Sequence, residues 1–131
     1  MAGRQNLAGS YGTIGQVMAK DYIIIETLEQ AKAALAEASK SGAEITLQSP
    51  PDAIFYAGSP YLLNMFKQAQ AAYPDVKSIF ILDCGEAGAE VIAAIQDGHR
   101  NIKSSAKPEI REKLKAIAAG HGVNFIENSD L

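Results

Sequence analysis

Cysteine, tryptophan and any surplus of one charge are scarce in this chain of 131 residues. Cys84 is its single cysteine and tryptophan is absent. One thiol cannot close an internal disulfide, so the fold must rest on its core, and a lone cysteine is the usage expected of a reducing, cytoplasmic setting. Twelve basic residues stand against fifteen acidic ones, for a net charge of −3. No basic field is present to attract a nucleic acid or an anionic membrane, which removes both from the expected partners. Long apolar runs are also missing. The run Ile79 to Leu82 is far short of what a bilayer span requires. Residues 1–20 are interrupted by Gly3, Gly9, Gly12 and Gly15 and read as a flexible segment without the continuous apolar stretch of a secretory leader.

A hydrophobic fraction of 47% is enough to bury one core, and the length suits one domain, expected over residues 21–127 with a polar tail at 128–131. Short apolar runs alternate with segments of helical period from Tyr22 onward, the pattern of linked βαβ units. Five strands are expected: Tyr22–Glu26, Glu44–Gln48, Ser78–Cys84, a short one at Asn101–Ser105, and Val123–Glu127. The run Ile23, Ile24, Ile25 is apolar on both faces and reads as a central strand, whereas Glu44–Gln48 alternates more and reads as nearer an edge.

Between the strands lie four helical segments. The first has Thr27 as N-cap with Gln30 three positions on, an apolar stripe of Leu28, Ala31, Leu35 and Ala38, and a stop at Gly42. The second is expected to start with Ser59 as N-cap and Pro60 at N1, burying Leu62, Phe66, Ala69 and Tyr73. The third turns Val91, Ile92 and Ile95 inward and stops at Gly98; the fourth starts at Pro108 and buries Ile110, Leu114 and Ile117.

Helices on both faces of a parallel sheet require the chain to reverse its winding once. The expectation is therefore a doubly wound, flavodoxin-like three-layer sandwich with a five-stranded, mostly parallel sheet in the order 2-1-3-4-5. Ligands in such folds bind beyond the carboxyl ends of the strands, at the reversal. That rule selects Glu26, Thr27, Ser49, Asp52, Tyr56 and Gly85 as ligand-binding candidates, with Asp83, Cys84 and Glu86 as candidates for a reactive group.

Cys84 ends a strand before a helix, where the dipole favours a thiolate, but the carboxylates of Asp83 and Glu86 oppose one, and a buried free cysteine is commonly a packing residue. Gly85 and Gly88 lie in the same turn, yet no dinucleotide or P-loop pattern is present, and Glu86 would repel a phosphate. The glycines are read instead as permitting the turn and the approach of helix to sheet. His99 and His121 each follow a glycine at a helix end, without ligand spacing for a metal, and Arg100 and Lys103 read as exposed charge. No cofactor is implied by any motif.

The aromatic connection Ser49–Tyr61 carries Ile54, Phe55, Tyr56 and Tyr61, side chains suited to self-packing, a subunit contact or cover for a ligand. Two functions follow from these features. One is a binding or regulatory module that engages a small molecule or a protein partner, with homo-oligomerisation left open. The other is a small hydrolase- or transferase-type enzyme whose reactive group is Asp83, Cys84 or Glu86.

Overall fold

The computed structural model describes residues 22–127. The expected flexible segment at 1–20 and the polar tail at 128–131 lie outside the described residues. The elements run β1 (Ile23–Ile24), α1 (Leu28–Ser41), β2 (Ile45–Gln48), α2 (Ala53–Tyr56), α3 (Ser59–Ala72), β3 (Ser78–Asp83), α4 (Gly88–Asp97), β4 (Asn101–Ser104), α5 (Pro108–Gly120) and β5 (Asn124–Glu127). The class is α/β, and the sheet is five-stranded and parallel throughout.

Strand order departs from expectation: it is 1-2-3-4-5, each strand beside the next in sequence. β1 is an edge strand rather than the centre, and β2 is interior rather than near an edge. Among the described residues the chain does not reverse its winding and has no switch point, so the doubly wound order 2-1-3-4-5 is corrected. Crossovers of one hand between successive strands put every helix on the same side. Accordingly α1 packs on α3, α3 on α4 and α4 on α5, as one layer. Among the described residues the architecture is two-layered and singly wound, the winding found in the wall of a β/α barrel.

Register separates the two faces of the sheet. Paired residues of parallel strands share a face, and side chains alternate along each strand. Ile23, Leu47, Phe80 and Leu82, Ile102 and Phe125 therefore point one way. These residues join the buried side chains of all five helices in one apolar cluster, which includes Ala31, Leu35, Leu62, Phe66, Val91 and Leu114. Ile81 is fully buried but lies outside that cluster. It points to the other face with Gln48, Asp83 and Lys103.

Local signals hold well in the helices. Thr27 Oγ1 accepts from Gln30 N at 3.1 Å, and Gln30 Oε1 accepts from Glu26 N at 2.7 Å, one residue before the position of a standard capping box. Gly42 and Gly98 close α1 and α4 in the left-handed conformation. Three expectations shift. Ser59 is the first residue of α3 rather than its cap, a place taken by Gly58, and its buried Oγ has no partner among the described residues. In α4 the inward set is Val91, Ala94 and Ile95, with Ile92 exposed. In α5 it is Leu114 and Ala118, with Ile110 and Ile117 exposed, because the last helix of a single layer has a neighbour on one flank only. Gly88 faces that neighbour: a Cβ there would meet Ile110 Cγ2 at 3.4 Å and Leu114 Cδ1 at 3.9 Å, close contact with α5 rather than with the sheet.

Candidate functional site

The carboxyl ends of β2, β3 and β4 are pinned by short hydrogen bonds. Ser49 Oγ, fully buried, accepts from Asp83 N at 3.0 Å. Cys84 N donates to Lys103 O at 2.9 Å, and Ser105 N donates to Gly85 O at 2.8 Å. Asp83 Oδ1 accepts from Gly85 N at 2.9 Å, the turn-closing role common for an aspartate before a glycine. Gly85 itself sits at φ 57, a conformation that a side chain would strain.

Asp83 and Cys84 diverge. The Cys84 thiol enters the core cluster on the helix side and is fully buried. Burial, then Asp83 and Glu90, push it up to about 12, so it stays protonated at neutral pH and is a packing group. A thiol reagent is expected to leave Cys84 unmodified in the native protein and to label it once urea unfolds the chain. Rapid native labelling would refute that burial. Glu86 is exposed on the turn, and the two carboxylates and the thiol do not converge.

The opposite face gathers what the sequence kept apart. Asp83 and Lys103 are paired in register across β3 and β4. Both are buried, with Lys103 only 2% exposed, a correction to its reading as surface charge. Burial raises the Asp83 carboxyl, against the Gly85 hydrogen bond and Lys103. Burial lowers the Lys103 amine, against Asp83. Among the described residues no salt bridge joins the two. The Lys103 Nζ instead lies 5.3 Å from the centroid of the Tyr22 ring.

Tyr22 leads into β1, three strands from β4, so the two long side chains lie across the face to meet. Gln48 and Ile81 sit on the strands between and are covered, with Gln48 1% exposed. Gln48 Oε1 is buried without a hydrogen-bond partner among the described residues, a costly state for an amide oxygen.

The remaining sequence candidates stand at the rim. Glu26 and Thr27 are exposed, and the Thr27 hydroxyl is committed to capping. Asp52 precedes α2 without capping it. Tyr56 is 66% exposed and its hydroxyl donates to Glu26 Oε2 at 3.4 Å. The aromatic connection is thus folded as α2, with Ile54 buried in the core and Phe55, Tyr56 and Tyr61 exposed.

A separate cleft of about 290 Å³ opens at the other end of the strands, lined by Phe66, Lys67, Gln70, Phe80, His99 and Arg100. Two of its lining side chains, His99 and Arg100, are engaged in structure. His99, which follows Gly98 at the end of α4, is buried with Nε2 2.9 Å from Ser59 O, and burial lowers its pKa. Arg100 donates to the His121 and Gly122 carbonyls. Among the described residues no cluster of three metal-capable side chains occurs, and no helix is long and apolar enough to cross a membrane.

The fold and this face define a singly wound β/α domain with polar, titratable groups on the sheet face opposite the helix layer. No family model matches the chain. A fructose-bisphosphate aldolase of Xanthobacter flavus is 30% identical over 78 residues, which are 60% of this chain and 22% of that protein. The chain thus aligns with less than a quarter of the curated relative it matches.

Proposed function

We propose that the domain binds a small hydroxyl- and carbonyl-bearing molecule on the sheet face opposite the helix layer, at the carboxyl ends of β2, β3 and β4. The observation that carries this reading is the buried, unpartnered Gln48 Oε1. It lies on the same face as Asp83 and Lys103. An orphan acceptor asks for a donor, which a ligand hydroxyl supplies, and the Lys103 ammonium is a donor to a carbonyl oxygen. The Asp83 carboxylate disfavours a phosphate directly beside it. In β/α barrels, sites lie at this same end of the strands. The aldolase likeness adds a ligand class to try, since the partial relative is named for a sugar bisphosphate.

Calorimetric titration with fructose bisphosphate and with dihydroxyacetone tests the reading. Binding of at least one is expected, weakened about tenfold or more in Gln48→Leu, the loss of one buried hydrogen bond. The same variant should unfold at no lower urea concentration than the wild type, because it removes an unsatisfied polar group. Absence of binding by either compound would overturn the proposal.

A second reading, docking of a protein partner or another copy of the chain, draws on the exposed aromatics Phe55, Tyr56 and Tyr61. It predicts a melting temperature that rises with protein concentration if the chain self-associates.

A further inference from the structure

We propose that the exposed aromatic surface at Phe55, Tyr56 and Tyr61 docks an arginine-rich segment of a protein partner. This inference rests on the partner-docking reading above and goes beyond it by naming the partner's chemistry.

The exposure of these rings follows from helix geometry. α2 turns Ala53 and Ile54 into the core, so Phe55 and Tyr56 are carried to the outside, each 66% exposed. In the first turn of α3 the inward position is taken by Leu62, and Tyr61 beside it is 56% exposed. Three large aromatic side chains within seven residues thus face solvent, a concentration of the kind that marks interaction sites.

The charge around the rings selects the partner. The Tyr56 hydroxyl donates to Glu26 Oε2 at 3.4 Å. Asp52 stands four residues before Tyr56, at the start of the same helix, and is exposed. The turn that carries exposed Glu86 runs beside Pro51, since a Cβ on Gly85 would lie 3.8 Å from Pro51 O. No lysine or arginine occurs in residues 22–31, 41–66 or 78–99, the stretches that bring the chain through the carboxyl ends of β1, β2 and β3. The carboxylates at the rim of the aromatic surface are therefore unmatched by a cation from those stretches. Arginine fits both parts at once, because its planar guanidinium stacks on an aromatic face and its fork of N–H groups binds a carboxylate. A neutral apolar segment would desolvate the carboxylates without pairing them, and an acidic one would be repelled.

Fluorescence anisotropy with three labelled peptides tests the proposal: repeats of Arg-Ser-Leu, of Gln-Ser-Leu and of Glu-Ser-Leu. The full chain is expected to bind the arginine peptide about tenfold or more tighter than the glutamine peptide, and the glutamate peptide least. Phe55→Ser with Tyr61→Ser should weaken arginine-peptide binding about fivefold or more, and Asp52→Asn with Glu86→Gln should cut its lead over the glutamine peptide by a similar factor. Circular dichroism should show both pairs folded, since every replaced side chain is exposed. Glu109→Gln with Glu112→Gln removes the same charge from the exposed face of α5 and should leave the affinity unchanged. An equal loss in that α5 pair would mean that net charge alone attracts the peptide and would overturn the proposal. Equal affinity for the arginine and glutamine peptides would overturn the arginine preference and leave partner docking standing. No binding of any peptide would overturn the arginine segment, and a melting temperature independent of protein concentration as well would overturn the docking reading with it.

Discussion

Joint replacement of Asp83 by Asn and Lys103 by Met is expected to raise stability at neutral pH by about 1–4 kcal/mol, while lowering affinity for fructose bisphosphate about tenfold or more. Both are buried and, among the described residues, no salt bridge joins them, so only their attraction at a distance offsets their desolvation. Two uncharged side chains of similar size remove that cost, and Asn keeps an oxygen to accept from Gly85 N. The pH dependence follows from the directions of the two shifts. Asp83 is raised above 3.8, so its contribution to stability is fullest below 3.8 and is lost as pH rises through the folded value. Lys103 is lowered below 10.5, so its contribution is full above 10.5 and is lost as pH falls through the folded value. The advantage of the double variant is therefore greatest between the two folded values. It shrinks toward acid as Asp83 protonates and toward alkali as Lys103 deprotonates. Each single variant leaves one buried charge without its neighbour and should be less stable than the double. Urea titrations of all four proteins across pH check the pattern. A double variant clearly less stable than the wild type at pH 7 would contradict it.

Leu82→Ala is expected to cost about 2–5 kcal/mol, a large part of the roughly 5–15 kcal/mol available to a domain of this size. Leu82 is fully buried on the helix-facing side of β3, beside Ile102 in the core cluster. Removing most of its side chain leaves a cavity between sheet and helix layer that close packing cannot fill. Ile92, expected from the sequence to face inward, is exposed on α4, and Ile92→Ala should cost less than the Leu82 change. Chemical denaturation monitored by circular dichroism compares them. Equal losses at the two positions would mean that the helix layer does not sit where it is described.

These residues also show what was legible in the sequence. The existence and type of most elements followed from period alone, since strands such as Ser78–Asp83 and helices such as Leu28–Ser41 satisfy their backbone needs locally. Thr27, Gly42, Gly98 and Pro108 marked helix ends by mechanisms that act within a few residues. Strand order did not follow, because it depends on which crossovers pack together. Ile23 to Ile25 are apolar on both faces, which fits a central strand between two helix layers. It fits equally well an edge strand, and the chain takes that second solution.

The site was half legible for the same reason. Asp83 was singled out by its place at a strand end, and its link to Ser49 joins two candidates. Lys103 was missed, because a lysine in "NIKSS" looks like surface charge. Yet alternation puts it opposite to buried Ile102, and register then sets it against Asp83. Gln48 carried no signal of its own: a glutamine ending a strand is ordinary until its oxygen is found buried without a partner. Tyr22 joins the group only by reaching across the face of the sheet, which no local pattern encodes.

The most direct test of the proposed site opposite the helix layer is the change in backbone amide chemical shifts on titration with fructose bisphosphate. The predicted result is movement concentrated at Gln48, Asp83 and Lys103, with Gln70 and Arg100 in the opposite cleft unmoved. Movement centred on Gln70 and Arg100, or confined to Phe55 and Tyr61 on the exposed surface, would contradict it.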